Sequence, residues 1–254
     1  MNIIDIIPPY DIEEIILKNY DEKTKKIILS NFKNYTKLKK FDCYKCNLDK
    51  LPDLPDTLNY LNCDYNNLKK LPNLPNSLIK LYCSGCDLTE LPDLPNSLIR
   101  LCCNYNKLTQ LPELPNSLNY LICHNNILNK LPNLPNSLIN LRCCGNKLIE
   151  LPNLPNSLTK LDCCYNNLTE LPDLPNTIKY FGCFSNNFTY PNLKIKTINE
   201  INLKNKIIKR MKLLNRTLLL EHSARISMNP KRIKRLLDNL EINFFDGSFD
   251  TLTT

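Results

Sequence analysis

Leu51 opens a phrase of 20 residues that recurs without insertion or deletion, with copies starting at Leu51, Leu71, Leu91, Leu111, Leu131, Leu151 and Leu171. Residues 91–110, LPDLPNSLIRLCCNYNKLTQ, are a clear copy, and half of an earlier one precedes the series at Leu38–Lys50. A fixed period of this length constrains the fold more than any other feature of the chain. One unit cannot bury its apolar face alone, so neighbours must stack into a solenoid with capped ends.

Each period contains L-x-x-L-x-C-x-x-N-x-L, as in Leu98, Leu101, Cys103, Asn106 and Leu108. Ile99–Asn104 reads as a short strand. Side chains alternate along a strand, so Leu101 and Cys103 point into the core while Arg100, Cys102 and Asn104 point away. Asn106 follows at the turn, where its amide can bond backbone groups of adjacent coils. The equivalent positions are Cys46, Asn66, Cys86, Asn126, Asn146, Asn166 and Asn186. Leu-Pro-x-Leu-Pro forms the opposite side, where two prolines per coil exclude an α-helix and favour extended, polyproline-like backbone.

Over residues 38–193 these spacings resemble the short, LPX-type leucine-rich repeats of bacterial secreted effectors, with Cys where a third Leu is usual. Similar repeats occur in proteins of giant DNA viruses of amoebae. The resemblance implies an α/β leucine-rich-repeat solenoid with eight short parallel strands, of about three to five residues, on the concave face. At ~4.8 Å per strand these span roughly 34 Å. It also implies polyproline-like coils on the convex face and a protein-binding role. Some relatives carry a C-terminal ubiquitin-ligase domain with a nucleophilic cysteine, but residues 184–254 contain no cysteine.

Three segments follow: an N-terminal cap over 1–37, the repeats over 38–193, and a C-terminal cap and tail over 194–254. Helical caps are expected at both ends. In the first, Asp11 caps a helix over Ile12–Lys18 behind Pro8-Pro9, and a second helix covers Glu22–Phe32. Ile7–Ile16 also resembles the opening of an F-box, which implies an alternative role as the substrate-recognition subunit of a ubiquitin ligase. In the last segment, helices are expected over Glu200–Ser223 and from Asn229-Pro230 onward.

The formal net charge is +8. Residues 194–237 hold 13 basic and 2 acidic residues, whereas residues 1–193 hold 20 and 19. This basic segment supports a second alternative, a binder of nucleic acid or an anionic surface. No N-terminal signal peptide and no transmembrane run is read.

Of 13 cysteines, eight recur at the 20-residue period, from Cys43 to Cys183. Each fills one core position, so reduced thiols and an intracellular location are expected. Cys43-x-x-Cys46 and Cys83-x-x-Cys86 have zinc-knuckle spacing, but each also reads as one core and one turn position of a repeat. Cys102, Cys144 and Cys164 point outward and are expected to be the accessible thiols. No Walker loop, paired-carboxylate motif or Ser/His/Asp arrangement occurs, so no enzyme, metal or cofactor is expected.

The outward positions form three columns: Lys40 to Tyr180, Asp42 to Gly182 and Tyr44 to Phe184, each stepping by 20. They vary from copy to copy while the prolines do not. Tyr60, Tyr82, Arg100, Tyr120, Ile122, Arg142, Lys160 and Tyr180 are the candidate partner-binding residues, since Tyr and Arg dominate protein interfaces. The expected partner is a host protein, and the chain is expected to be a monomer.

Overall fold

The computed structural model describes residues 7–188. Nine three-residue strands form one parallel sheet in chain order. They are β1 (Glu14–Ile16), β2 (Lys40–Asp42), β3 (Tyr60–Asn62), β4 (Lys80–Tyr82), β5 (Arg100–Cys102), β6 (Tyr120–Ile122), β7 (Asn140–Arg142), β8 (Lys160–Asp162) and β9 (Tyr180–Gly182). From β2 onward each residue pairs with the one 20 positions later, as Lys80 with Arg100 and Arg100 with Tyr120. The period is thus one strand, one coil and a return.

The inward positions make one continuous core. Leu58, Leu61, Cys63 and Leu68 have no exposed surface, and neither do Leu98, Leu101, Cys103 and Leu108 two coils later. Burial raises the Cys103, Cys123 and Cys143 thiols well above their ordinary range, and at Cys63 the hydrogen bond with Cys86 does so first and burial second. They therefore pack as small neutral apolar groups.

Two side-chain ladders tie the coils together. Asn106 Oδ1 accepts from the N–H groups of Cys86 and Leu88, each at 3.0 Å, while its Nδ2 donates to Cys83 O at 2.8 Å and Cys103 O at 3.0 Å. Asn66 repeats the full scheme, and Asn126, Asn146, Asn166 and Asn186 repeat the two carbonyl bonds while accepting from the N–H of Leu108, Leu128, Leu148 and Leu168. At Cys86 the thiol donates to Cys63 O at 3.1 Å, replacing part of the amide's role. In the two coils with Cys at this position, the next residues, Asn47 and Asp87, take positive φ. The second ladder uses hydroxyls. Ser77 Oγ donates to Leu58 O, Ser97 to Leu78 O and Ser117 to Leu98 O, each at 2.7 Å.

The N-terminal segment departs from expectation. The helix expected over Ile12–Lys18 is instead β1 followed by a 3-10 turn over Leu17–Asn19. Pairing explains it: Ile15 sits fully buried in register with Phe41, Glu13 O accepts from the N–H groups of Lys39 and Lys40, and Glu14 pairs with Lys40. A free sheet edge with unpaired backbone groups outweighs the weak helix propensity of an isoleucine-rich stretch. Among the described residues the sheet therefore has nine strands rather than eight. The second expected helix is present as α1 (Glu22–Ser30), with Asp21 accepting the Thr24 N–H at 2.9 Å as its N-cap. Phe32 and Tyr35 follow, fully buried, with Phe32 4.6 Å from Phe41 between ring centres. The N-terminal end is closed by strand, helix and aromatic turn together, so the fully helical cap is corrected to a mixed one. The described residues are mostly strand and coil. The helices expected beyond residue 194 lie outside the described residues.

Candidate functional site

The side of the sheet opposite the core carries the candidate residues on strands in register. Lys40, Tyr60, Lys80, Arg100, Tyr120, Asn140, Lys160 and Tyr180 form one uninterrupted row. Tyr82, Cys102, Ile122 and Arg142 form the row beside it. Each strand contributes one residue to each row because the pleat turns alternate side chains to the same face.

Within the first row, cations lie over rings. The Arg100 guanidinium is 4.0 Å from the centre of the Tyr120 ring, the Lys160 ammonium 4.3 Å from Tyr180, and Lys40 5.4 Å from Tyr60. Tyr60 and Tyr82 pack at 5.5 Å between ring centres. Each such contact is worth about 0.5–1 kcal/mol at an exposed site. Their effect is to hold long side chains in place. Burial raises the Tyr60 and Tyr82 hydroxyls, so both are neutral donors at physiological pH.

Acidic groups lie toward the N-terminal end. Asp42 Oδ2 accepts from Asn62 Nδ2 at 3.2 Å, and Asp64 accepts the Ser84 N–H, although burial still raises the Asp64 carboxyl. His124 is lowered by burial and by the charge of Arg142, so it is neutral near physiological pH.

Of the outward cysteines only Cys144 is partly exposed; Cys102 and Cys164 are buried. The expectation of three accessible thiols is corrected accordingly. Cys102 is flanked in register by Tyr82 and Ile122, and burial pushes its thiol up to about 11. Cys164 lies over Gly182, where a Cβ would stand 3.0 Å from its Sγ, and its thiol is pushed up to about 12 by burial first and then by Asp162. Cys43 and Cys83 are core residues, whereas Cys46 and Cys86 occupy ladder positions. Among the described residues no group of three or more His, Cys, Asp and Glu is placed to hold a metal ion. No helix among them is long and apolar enough to cross a membrane.

One set of exposed residues escaped the sequence reading. The position before each ladder residue has positive φ: Lys45, Tyr65, Gly85, Tyr105, Asn125, Gly145, Tyr165 and Ser185. Tyr65, Tyr105 and Tyr165 are exposed there and meet Tyr44, His124 and Phe184 edge-on at 5.7, 5.1 and 5.0 Å. A bulky residue at positive φ is strained. Gly85 and Gly145 in the same column were the available signal. The Tyr65 ring lies against Gly85, where a Cβ would come within 2.9 Å of it.

A parallel strand, an asparagine turn and a proline-rich return, stacked at 20 residues, define a leucine-rich-repeat solenoid. The chain is similar to YopM from Yersinia enterocolitica WA-314, at 34% identity and a TM-score of 0.51, over 61% of this chain and 39% of that one. It is also similar to the leucine-rich-repeat domain of a Shigella effector, at 37% identity and a TM-score of 0.49, over 57% of this chain and 62% of that one. The chain thus spans less than two thirds of either. Neither a protein-family model nor a curated protein matches it. The bacterial part of the sequence resemblance is met in these structures, and the viral part stays an expectation.

Proposed function

We propose that the protein is a non-catalytic module that binds a host protein inside the cell through the open face of its sheet, the face expected to be concave. The observation that carries this is the row of Tyr60, Arg100, Tyr120, Lys160 and Tyr180, with Tyr82, Ile122 and Arg142 beside it, in register and pre-set by cation–ring contacts. Aromatic and guanidinium groups held in this way lose little freedom on binding and are the types that dominate interfaces. The likeness to YopM supports a protein partner.

Residues 1–37 serve as the cap and 38–193 as the binding array in this reading. Ile15, Leu17 and Ile28 are fully buried in the common core, which favours capping over recruitment of a ubiquitin ligase. The basic segment 194–237 lies outside the described residues.

The test compares variants against a partner recovered from host lysate. Arg100→Ala and Tyr120→Ala should each weaken binding by about 2 kcal/mol, roughly thirtyfold, with an unchanged melting temperature. Asp93→Ala and Glu113→Ala, on the proline side, should change it little. Neutral results on the open face with loss on the proline side overturn the proposal.

A further inference from the structure

Lys80 and Arg100 stand in register on β4 and β5, and Arg142 lies on β7 of the same face. Like charges directly opposite each other on neighbouring strands repel. Proteins usually relieve such pairs with an interleaved acid, and this face does so at its end, where Lys40 pairs with Glu14. The other ion pairs among the described residues are Lys25–Glu22, Lys39–Glu13 and Lys107–Asp87. Lys80 and Arg100 therefore face the open side without an acidic partner among those residues, and Arg142 forms no ion pair although Asp162 stands opposite it on β8. The charges of Arg100 and Arg142 both lower the Cys102 thiol, against its burial and the charge of Asp64. Arg142 Nε is buried and makes no hydrogen bond.

The flanks have the opposite sign. Asp42 and Asp64 lie on the N-terminal side, and Asp162 is in register with Arg142 on the other. With Lys40 paired to Glu14, the face thus reads acidic and then basic along the stack, and at the far end Lys160 on the same strand offsets Asp162. We infer that the open face takes an extended polypeptide segment whose paired carboxylates seat over Lys80, Arg100 and Arg142, with a cationic residue of that segment toward Asp42 and Asp64. This rests on the binding-face reading above and names the partner's chemistry. Guanidinium forks match carboxylates bidentately, and flanking charges set the register of the partner. Asp64 and Asp42 precede Arg100 by two and three strands, roughly 10 and 14 Å, which an extended peptide spans in about three to five residues.

A single-stranded nucleic acid fits this pattern poorly. Its phosphates would track past the flanking aspartates as well as the cations. Base stacking also needs free ring faces, whereas Tyr60, Tyr120 and Tyr180 each carry a cation over the ring.

The experiment selects peptides from a displayed random library on the full chain at physiological ionic strength, then titrates the synthetic peptides into variants. Selected peptides should be enriched in paired Asp or Glu, with Lys or Arg about three to five positions away, and should bind R100E/R142E at least about tenfold more weakly. Selection on R100E/R142E should favour basic peptides instead. Should that double variant not fold, Lys80→Glu and Arg142→Gln serve separately, with melting curves checked first. Peptides that need Tyr120 but show no acidic enrichment overturn the charge inference and leave the binding face standing. Peptides indifferent both to Tyr120→Ala and to charge reversal overturn the binding face itself. The inference also fails if no peptide is enriched, or if a short oligothymidine binds more tightly than any peptide and loses affinity in R100E/R142E.

Discussion

Asn106→Ala is expected to destabilise the protein by about 3–5 kcal/mol, among the largest effects of any single change. The side chain holds the N–H groups of Cys86 and Leu88 and the carbonyl of Cys83. Alanine strands all three between two coils. A buried unpaired backbone group costs about 1–3 kcal/mol, and partial entry of water keeps the total below the simple sum. Cys103 O loses less, because Asn126 Nδ2 also reaches it at 3.0 Å. Asn106→Cys should fall in between, since Cys86 shows that a thiol can supply the donor but not the paired acceptor. Urea unfolding of the three proteins measures this. A cost under about 1 kcal/mol for Asn106→Ala would mean that the backbone ladder alone holds the coils.

Loss of the N-terminal closure should be as severe. Phe32→Ala removes a buried ring packed on Phe41 at 4.6 Å and on Tyr35 at 6.1 Å, and is expected to cost about 3–5 kcal/mol. Deleting residues 1–37 goes further, because it uncovers Leu38 and Phe41 and frees the edge of β2. An open end of a repeat array is an apolar face and an unpaired strand at once, so aggregation is the expected result. A soluble fragment 38–254 with unchanged melting temperature would show that the segment is an appendage rather than a cap.

The repeat's architecture was legible because a fixed period makes every copy testify to the same geometry. The strand rows, the inward Cys column from Cys43 to Cys163, and the ladder positions, including Cys46 and Cys86, all follow from spacing and alternation. β1 was not legible, because it occurs once, outside the repeat. Asp11 and Pro8-Pro9 suit a helix start locally, and only the pairing of Ile15 with Phe41 across 26 residues reverses that preference. The hydroxyl ladder was present in the sequence as Ser77, Ser97, Ser117, Ser137 and Ser157 with Thr57 and Thr177 at the ends, but it reads there as ordinary turn chemistry. The burial of Cys102 and Cys164 was hidden for another reason. Direction along a strand follows from parity, whereas cover depends on the side chains of the neighbours, Tyr82 and Ile122 beside Cys102 and Asp162 beside Cys164. The same limit applies to the candidate site: the rows of residues were readable, but the placement of Arg100 over Tyr120 was not.

The most direct measurement for the open face is hydroxyl-radical footprinting of the full chain with and without its bound partner. Oxidisable side chains occur on both sides of the solenoid: Tyr82, Tyr120 and Ile122 on the open face, and Ile149, 61% exposed, on the coil leading toward the proline side. The expected result is strong protection of Tyr82, Tyr120 and Ile122 on binding, with Ile149 reacting as before. Protection of Ile149 with Tyr82, Tyr120 and Ile122 still fully reactive would contradict the assignment of the binding face.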